Sequence, residues 1–227
     1  MKKILLFAAA IMMAATASAQ KVSSTTYLKE KSQTQWYGRI GMSINNMAGA
    51  PELEGFCMGS KIGMDVDFGF QKNIGRSGLY WGMELGIGTR GATDKFEDEE
   101  GTVKGNISAW NVKYSPFTFG YKYSLTDDLK LDGHFGLFAS YDFTSKYKVE
   151  DTEMDLDDLD YIELDAGIQV GIGVWWKKFN LDFTYQRGFV PAAKLYTETY
   201  NEYGYTIGSD EYKLHSSNFM IRLGYAF

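Results

Sequence analysis

From residue 36 onward the chain alternates apolar and polar positions with a period of two. Trp36, Gly38, Ile40, Met42 and Ile44 share one parity, and Tyr37, Arg39, Gly41, Ser43 and Asn45 share the other. Ile62, Met64, Val66, Phe68 and Phe70 repeat the pattern against Lys61, Gly63, Asp65, Asp67 and Gly69, as do Leu79, Trp81, Met83, Leu85 and Ile87 against Tyr80, Gly82, Glu84 and Gly86. Such positions fall on one face of a strand but are scattered around a helix, so each run predicts a β-strand. Further runs occupy 110–123, 129–143, 162–174, 179–185 and 219–227. In the fourth run the apolar parity flips from Trp110, Val112 and Tyr114 to Phe117, Phe119 and Tyr121 across Pro116. A bulge at Pro116 accounts for the flip, because one extra residue re-phases every later side chain.

Eight strands result, and their connections alternate in length. Long ones (about 46–60, 91–106, 144–160 and 188–216) alternate with short ones (71–78, 124–128 and Lys177-Lys178). All short turns fall at one end and all long loops at the other, which predicts an all-β, eight-stranded antiparallel up-and-down transmembrane β-barrel.

Parity names two faces without saying which is inside. A soluble lipocalin-like barrel turns its apolar face inward, and a membrane barrel turns it to lipid. The polar parity is rich in glycine (Gly63, Gly69, Gly82, Gly86, Gly88, Gly167, Gly171, Gly173) interleaved with isolated charges. A narrow eight-strand interior needs small residues beside a few large ones, whereas a water-facing exterior has no use for strand glycine. Trp36, Trp81, Trp175, Trp176, Tyr225 and Phe227, with Tyr37 and Tyr80, fall at strand ends on the short-turn side, and Trp110 falls on the loop side. Aromatic rings at both ends of the strands fit the two interfaces of a bilayer.

Composition refines this picture at three points. Met1-Lys2-Lys3, an apolar run at 4–15 and Ala17-Ser18-Ala19 predict a signal peptide over 1–19. A flexible periplasmic segment at 20–34 and a barrel domain at 35–227 follow it. The chain carries a net charge of −6, which becomes more negative without Lys2 and Lys3. Nucleic-acid binding needs clustered Lys and Arg, so that class is set aside. The single cysteine rules out a disulfide framework. Mean hydropathy of −0.28 argues against a bundle of membrane helices.

The inward parity collects Arg39, Lys61, Asp65, Asp67, Glu84, Lys113, Asp132, His134, Glu163, Asp165, Asp182 and Arg222, with Asp142 beside the third long loop. Either these line a charged pore or they pair into a network that plugs the barrel. Interior size favours the plug, because eight strands leave room for side chains alone. The acidic stretch Glu150, Asp151, Glu153, Asp155, Asp157, Asp158 and Asp160 reads as a solvated anionic loop, since Asp160 occupies the position where a calcium loop needs glycine. His215 with Asp210 and Glu211 is the candidate for rim catalysis, but no nucleophile or metalloprotease motif accompanies it. Tyr196, Tyr200, Tyr203, Tyr205 and Tyr212 either serve recognition at a loop tip or belong to a hairpin that continues beyond the bilayer. No catalytic residue, metal site or cofactor is predicted.

The segment Asn111-Val112-Lys113-Tyr114-Ser115-Pro116-Phe117-Thr118-Phe119-Gly120-Tyr121-Lys122-Tyr123 resembles a strand of the bacterial outer-membrane protein β-barrel domain family, which includes PorT-like proteins and small OmpA- and OmpX-like barrels. Residues 131–139, and 165–174 followed by Phe183-Thr184-Tyr185-Gln186-Arg187-Gly188, are similar to other hairpins of that family. The resemblance implies residence in the bacterial outer membrane among lipid and lipopolysaccharide, and insertion by the barrel-assembly machinery. The expected function is that of a structural or interaction protein in adhesion or envelope integrity, with extracellular protein or glycan as partner. A narrow channel or small-solute conduit is the alternative, and a rim enzyme comes after it.

Overall fold

The computed structural model describes residues 34–49, 56–75, 77–98, 101–149, 152–155, 161–200 and 206–227; the signal-peptide and lead-in segments lie outside them. Among the described residues there are nine strands: β1 (Thr34–Ala48), β2 (Phe56–Asn73), β3 (Leu79–Asp98), β4 (Gly101–Ser124), β5 (Leu129–Val149), β6 (Thr152–Asp155), β7 (Leu164–Trp176), β8 (Phe179–Tyr200) and β9 (Thr206–Ala226). Each pairs antiparallel with its neighbours in the order β4-β3-β2-β1-β9-β8-β7-β5, and β4 pairs with β5 to close the ring. Eight strands therefore form the wall, and the four-residue β6 pairs with the far end of β5 alone.

Burial alternates along every wall strand and settles which parity is inside. Ile40, Met42, Ile62, Phe68, Leu85, Ile168, Ile172 and Leu223 are exposed, while Arg39, Asp65, Asp67, Asp182 and Arg222 are 5 % accessible or less. The apolar face is the outer one. Closure explains how so polar an interior forms, because every wall strand finds both neighbours and no hydrogen-bonding edge is left within the ring.

Pro116 sits at a bulge. Tyr114 pairs with Ala139 and Phe117 with Leu137, so three residues of β4 face two of β5, and the same offset recurs against β3 between Gly82 and Glu84. Proline cannot donate to the ladder, and the bulge is where a strand tolerates that loss. A second bulge lies between Ser60 and Asp65 of β2.

The long connections are mostly strand. β3 and β4 stay paired out to Asp98 and Gly101, and β8 and β9 out to Tyr200 and Thr206. The last tyrosine-rich segment continues the hairpin, with Thr197 opposite Asp210 and Thr199 opposite Gly208. Alternation at Leu195, Thr197 and Thr199 carried that signal.

Candidate functional site: a charged lumen between two apolar layers

The interior is organised by rows of cross-strand partners. One row runs Asn180, Gly224, Arg39, Asp67, Gly86, Lys113, Ser140, Asp165 and so visits all eight wall strands. A second runs Asp65, Gly41, Arg222, Asp182, Gly173, Asp132 across six. Paired residues point to the same face, so a glycine beside each long side chain leaves the space that chain fills. A Cβ on Gly86 would strike the Asp67 carboxylate, and one on Gly171 would strike the His134 ring.

Arg222 is the hub. Its Nη1 donates to Asp67 Oδ2 at 2.5 Å, its Nη2 to Asp182 Oδ1 at 2.6 Å and to Thr184 Oγ1 at 2.9 Å, and its Nε to Asp182 Oδ1 at 3.0 Å. Arg39 donates to Glu84 and, through Nε, to Asn180 Oδ1 at 2.9 Å, and its Nη2 lies 3.6 Å from Asp182. Lys113 pairs with Asp65 and lies 3.3 Å from Asp67. His134 Nε2 is 3.1 Å from Thr184 Oγ1 and 3.7 Å from Asp182 Oδ2. Charges taken out of water are tolerated only when paired, and each of these acids meets a cation here. Arg39 Nη2, Asp65 Oδ1 and Asp182 Oδ2 nevertheless make no hydrogen bond among the described residues.

Toward the long-hairpin end a separate cluster forms. Arg90 donates to Asp142 at 2.6 Å and to Asp165 at 2.9 Å, Tyr161 donates to Asp142, and Ser216 donates to Asp165. Arg90 lies outside the expected set because the apolar alternation fades beyond Ile87; the inward alternation Gly88, Arg90, Ala92 is the signal the sequence carries. Lys61 stands apart from the lumen charges. It is partly exposed and donates to Asn106 Oδ1 at 2.7 Å. Glu163 precedes β7, and it is its backbone carbonyl that accepts from Arg90, at 3.4 Å.

Apolar layers flank this charged section at both ends. Beyond Arg90, the inward residues Met47, Ala92, Ala192 and Leu214 form a buried cluster against Met58, Ile107, Tyr161 and Ala193. At the short-turn end Tyr37, Trp175 and Ala226 pack together, with Tyr37 and Trp175 rings edge to face at 6.0 Å. The polar tips of this lower layer point at the charges. Tyr37 donates to Glu84 at 2.6 Å, and Tyr80 and Trp175 donate to the two oxygens of Asp132 at 2.8 and 3.0 Å. Lys122 lies 4.0 Å from the centre of the Trp175 ring.

Trp175, Tyr37 and Tyr80 thus depart from the interfacial role expected of them. Trp175 is 2 % accessible and faces inward because it shares the parity of Gly171 and Gly173. Position near a strand end indicates an interface only when parity also points outward. Trp36, Trp81, Trp110, Trp176, Tyr225 and Phe227 have the outward parity. At the short-turn end the ring contacts run unbroken from Trp81 through Phe70, Trp36, Phe68, Phe227, Tyr225 and Phe179 to Trp176.

The remaining candidates are not brought together. His215 pairs across strands with Ala48 and Pro191, and its Nδ1 has no hydrogen-bond partner among the described residues. Glu211 lies 4.0 Å from Lys213, and the Asp210 side chain lies outside the described residues. Of the acidic stretch, Glu153 and Asp155 are exposed on β6, while 150, 151 and 156–160 lie outside the described residues. Tyr203 and Tyr205, and the side chains of Tyr196 and Tyr200, lie outside them as well.

The family of the outer membrane protein beta-barrel domain matches residues 19–194. Solved structures with a similar fold include Ail, the attachment invasion locus protein of Yersinia pestis, at 13 % identity over 86 % of this chain and 99 % of that one, with a TM-score of 0.40. Neisserial surface protein A (10 % identity, 86 % and 99 % covered, TM-score 0.43) and the outer membrane protein OprG from Pseudomonas aeruginosa (10 %, 86 % and 97 %, 0.40) are others. No curated protein matches. The family match spans most of the chain, and the ring with its apolar exterior is the architecture that such a match requires. The chain belongs to the outer membrane protein beta-barrel domain family and resides in the bacterial outer membrane.

Proposed function

We propose that this barrel is a closed, non-enzymatic protein that serves the envelope structurally and meets extracellular protein or glycan through its long hairpins. The observation that carries the reading is the stacking of three layers inside one narrow wall. An apolar cap, a paired charge network and an aromatic floor succeed one another along the axis. Asp182 and Thr184 at mid-network are 0 % accessible, whereas a continuous water column would leave lumen side chains wetted. The exposed β5–β6 hairpin and the β8–β9 extension supply surface for a partner. Insertion by the barrel-assembly machinery fits the same reading.

The conduit reading has one observation in its favour. Buried lumen carboxylates (Asp65, Asp67, Glu84, Asp132, Asp142, Asp165 and Asp182) outnumber the buried cations Arg39, Arg90, Lys113 and Arg222. An open path would therefore prefer cations. Recording from the purified protein in planar bilayers separates the two readings. A closed barrel gives a flat trace, and repeated cation-selective steps overturn the proposal.

A further inference from the structure

The outward parity changes character beyond Trp110. On the trunk it is apolar, but on the extensions of β3, β4 and β5 it carries Thr93 and Lys95, Lys104 and Asn106, and Lys146 and Lys148. Lys95 and Lys104 are direct cross-strand partners, and Asn106 pairs with both Thr93 and Lys148. Lys61 reaches the same face from β2, passing Gly91 to donate to Asn106 Oδ1 at 2.7 Å and to the Ile107 carbonyl at 3.2 Å. Lys146 is engaged by Glu153, which is also the cross-strand partner of Lys148, while Lys95 and Lys104 are exposed and have no ion-pair partner among the described residues. A groove of about 410 Å³ lies between them, lined by Thr93, Asp94, Lys95, Lys104, Asn106 and Lys148. Its one carboxylate, Asp94, accepts from Tyr147 at 2.8 Å.

Like charges directly opposite on a sheet destabilise it, so folding alone does not account for Lys95 facing Lys104 in a chain of net charge −6. An anion with more than one negative group would bridge them. Position narrows the anion further. Lys104 lies six residues beyond Trp110, about 20 Å along the strand at 3.3–3.4 Å per residue. At a strand tilt of about 40° that is about 15 Å above the interface, and Asn106 with Lys148 stands at about 10 Å. The lysines share the parity that faces lipid lower down, and their flexible stems can lower the ammonium groups toward headgroup level.

We infer that Lys61, Lys95, Lys104 and Lys148 form a binding site for the phosphate groups of an outer-leaflet glycolipid, lipopolysaccharide being the one this membrane supplies. The site does not depend on the lumen being closed, so its test stands apart from the conductance experiment. The test is native mass spectrometry of the full barrel in detergent, titrated with diphosphoryl lipid A, with its dephosphorylated counterpart and with inorganic pyrophosphate. Diphosphoryl lipid A is expected to bind at least about tenfold more tightly than the dephosphorylated lipid. The triple variant Lys95→Gln/Lys104→Gln/Lys148→Gln is expected to lose about 100-fold, about fivefold for each cation removed. Lys213→Gln, on the opposite side of the rim, is expected to bind as wild type does. If the triple variant does not fold, the single reversal Lys104→Glu gives the same readout from an exposed position. Equal binding of the two lipids, a triple variant that binds like wild type, or displacement of the lipid by equimolar pyrophosphate would each overturn the assignment.

Discussion

Arg222→Ala is the most direct perturbation of the lumen. The guanidinium is 1 % accessible and ties β9 to β2 through Asp67 and to β8 through Asp182, with donor–acceptor distances of 2.5 to 3.0 Å. Removing one partner of a buried ion pair costs about 3–5 kcal/mol, because the other charge stays buried without compensation. Here two carboxylates lose their main partner, but Asp67 keeps Lys113 at 3.3 Å and Asp182 keeps Arg39 at 3.6 Å. Those remaining cations place the cost at about 3 kcal/mol, the lower end of that range. Urea titration of the barrel in lipid vesicles, followed by tryptophan fluorescence and by heat-modifiable gel mobility, measures it. The double variant Arg222→Met/Asp182→Leu removes both charges, and its loss should fall short of the summed single losses by about 1–3 kcal/mol. A change below about 1 kcal/mol for Arg222→Ala, where a buried pair should cost several times more, or strict additivity in the cycle, would refute the claim that this guanidinium holds the network together.

Three further outcomes can be measured. Gly120→Ala places a methyl against the Tyr80 ring, which Asp132 holds in place, so overpacking should cost about 1–3 kcal/mol in the same titration; Tyr80→Phe in that background should relieve little, because the ring remains. Brominated lipids should quench Trp36 and Trp176 but spare Trp175, which single-tryptophan variants will show; strong quenching of Trp175 would contradict its inward position. On the exposed β5–β6 hairpin, the hydrogen bond and charge of Lys146 hold the Glu153 carboxyl below its ordinary value. A depressed folded value gives support that is present above the unfolded value, about 4.3 for a glutamate, and is lost as pH falls through the folded one. Amide protection in β6 should therefore drop on acidification, and Glu153→Gln should abolish that dependence.

The wall was legible because lipid and lumen impose opposite demands on successive residues, and an eight-strand ring repeats that demand in each strand. Even the parity flip at Pro116 could be read, since a missing donor and a phase change coincide there. The two apolar layers were not legible. Met47, Ala92 and Leu214 lie where alternation meets stretches rich in Gly, Ser, Asp and Glu, and such stretches read as loops whether or not their strands continue. Arg90 was missed for the same reason. Trp175 shows a different limit. Two adjacent tryptophans at a tight turn must face opposite ways, so only one of Trp175 and Trp176 can reach the interface. Which lysines gather outside depends on the bulge in β2, where Lys61 leaves the lumen row, and hydrophobicity carries no trace of it.

The charge network also bears on which register the ring adopts. Arg39 on β1 and Arg222 on β9 stand on the two strands that close the barrel, and their partners lie on β2, β3 and β8. A one-residue slip of β9 against β1 would turn Arg222 outward and Leu223 inward. An arginine facing the bilayer midplane costs about 2–4 kcal/mol, before the stranded carboxylates are counted. A two-residue slip keeps parity but moves Arg222 from Gly41 to Arg39 or Ser43. Opposite Arg39 two cations would meet. Opposite Ser43 the close approach that Gly41 permits would be lost, for a Cβ on Gly41 would strike the backbone at Ile221 and Arg222. Apolar residues on the outer face are nearly interchangeable between such registers, because lipid has no shape to match. Discrimination therefore falls to the few lumen positions where a guanidinium, a carboxylate and a missing side chain must coincide.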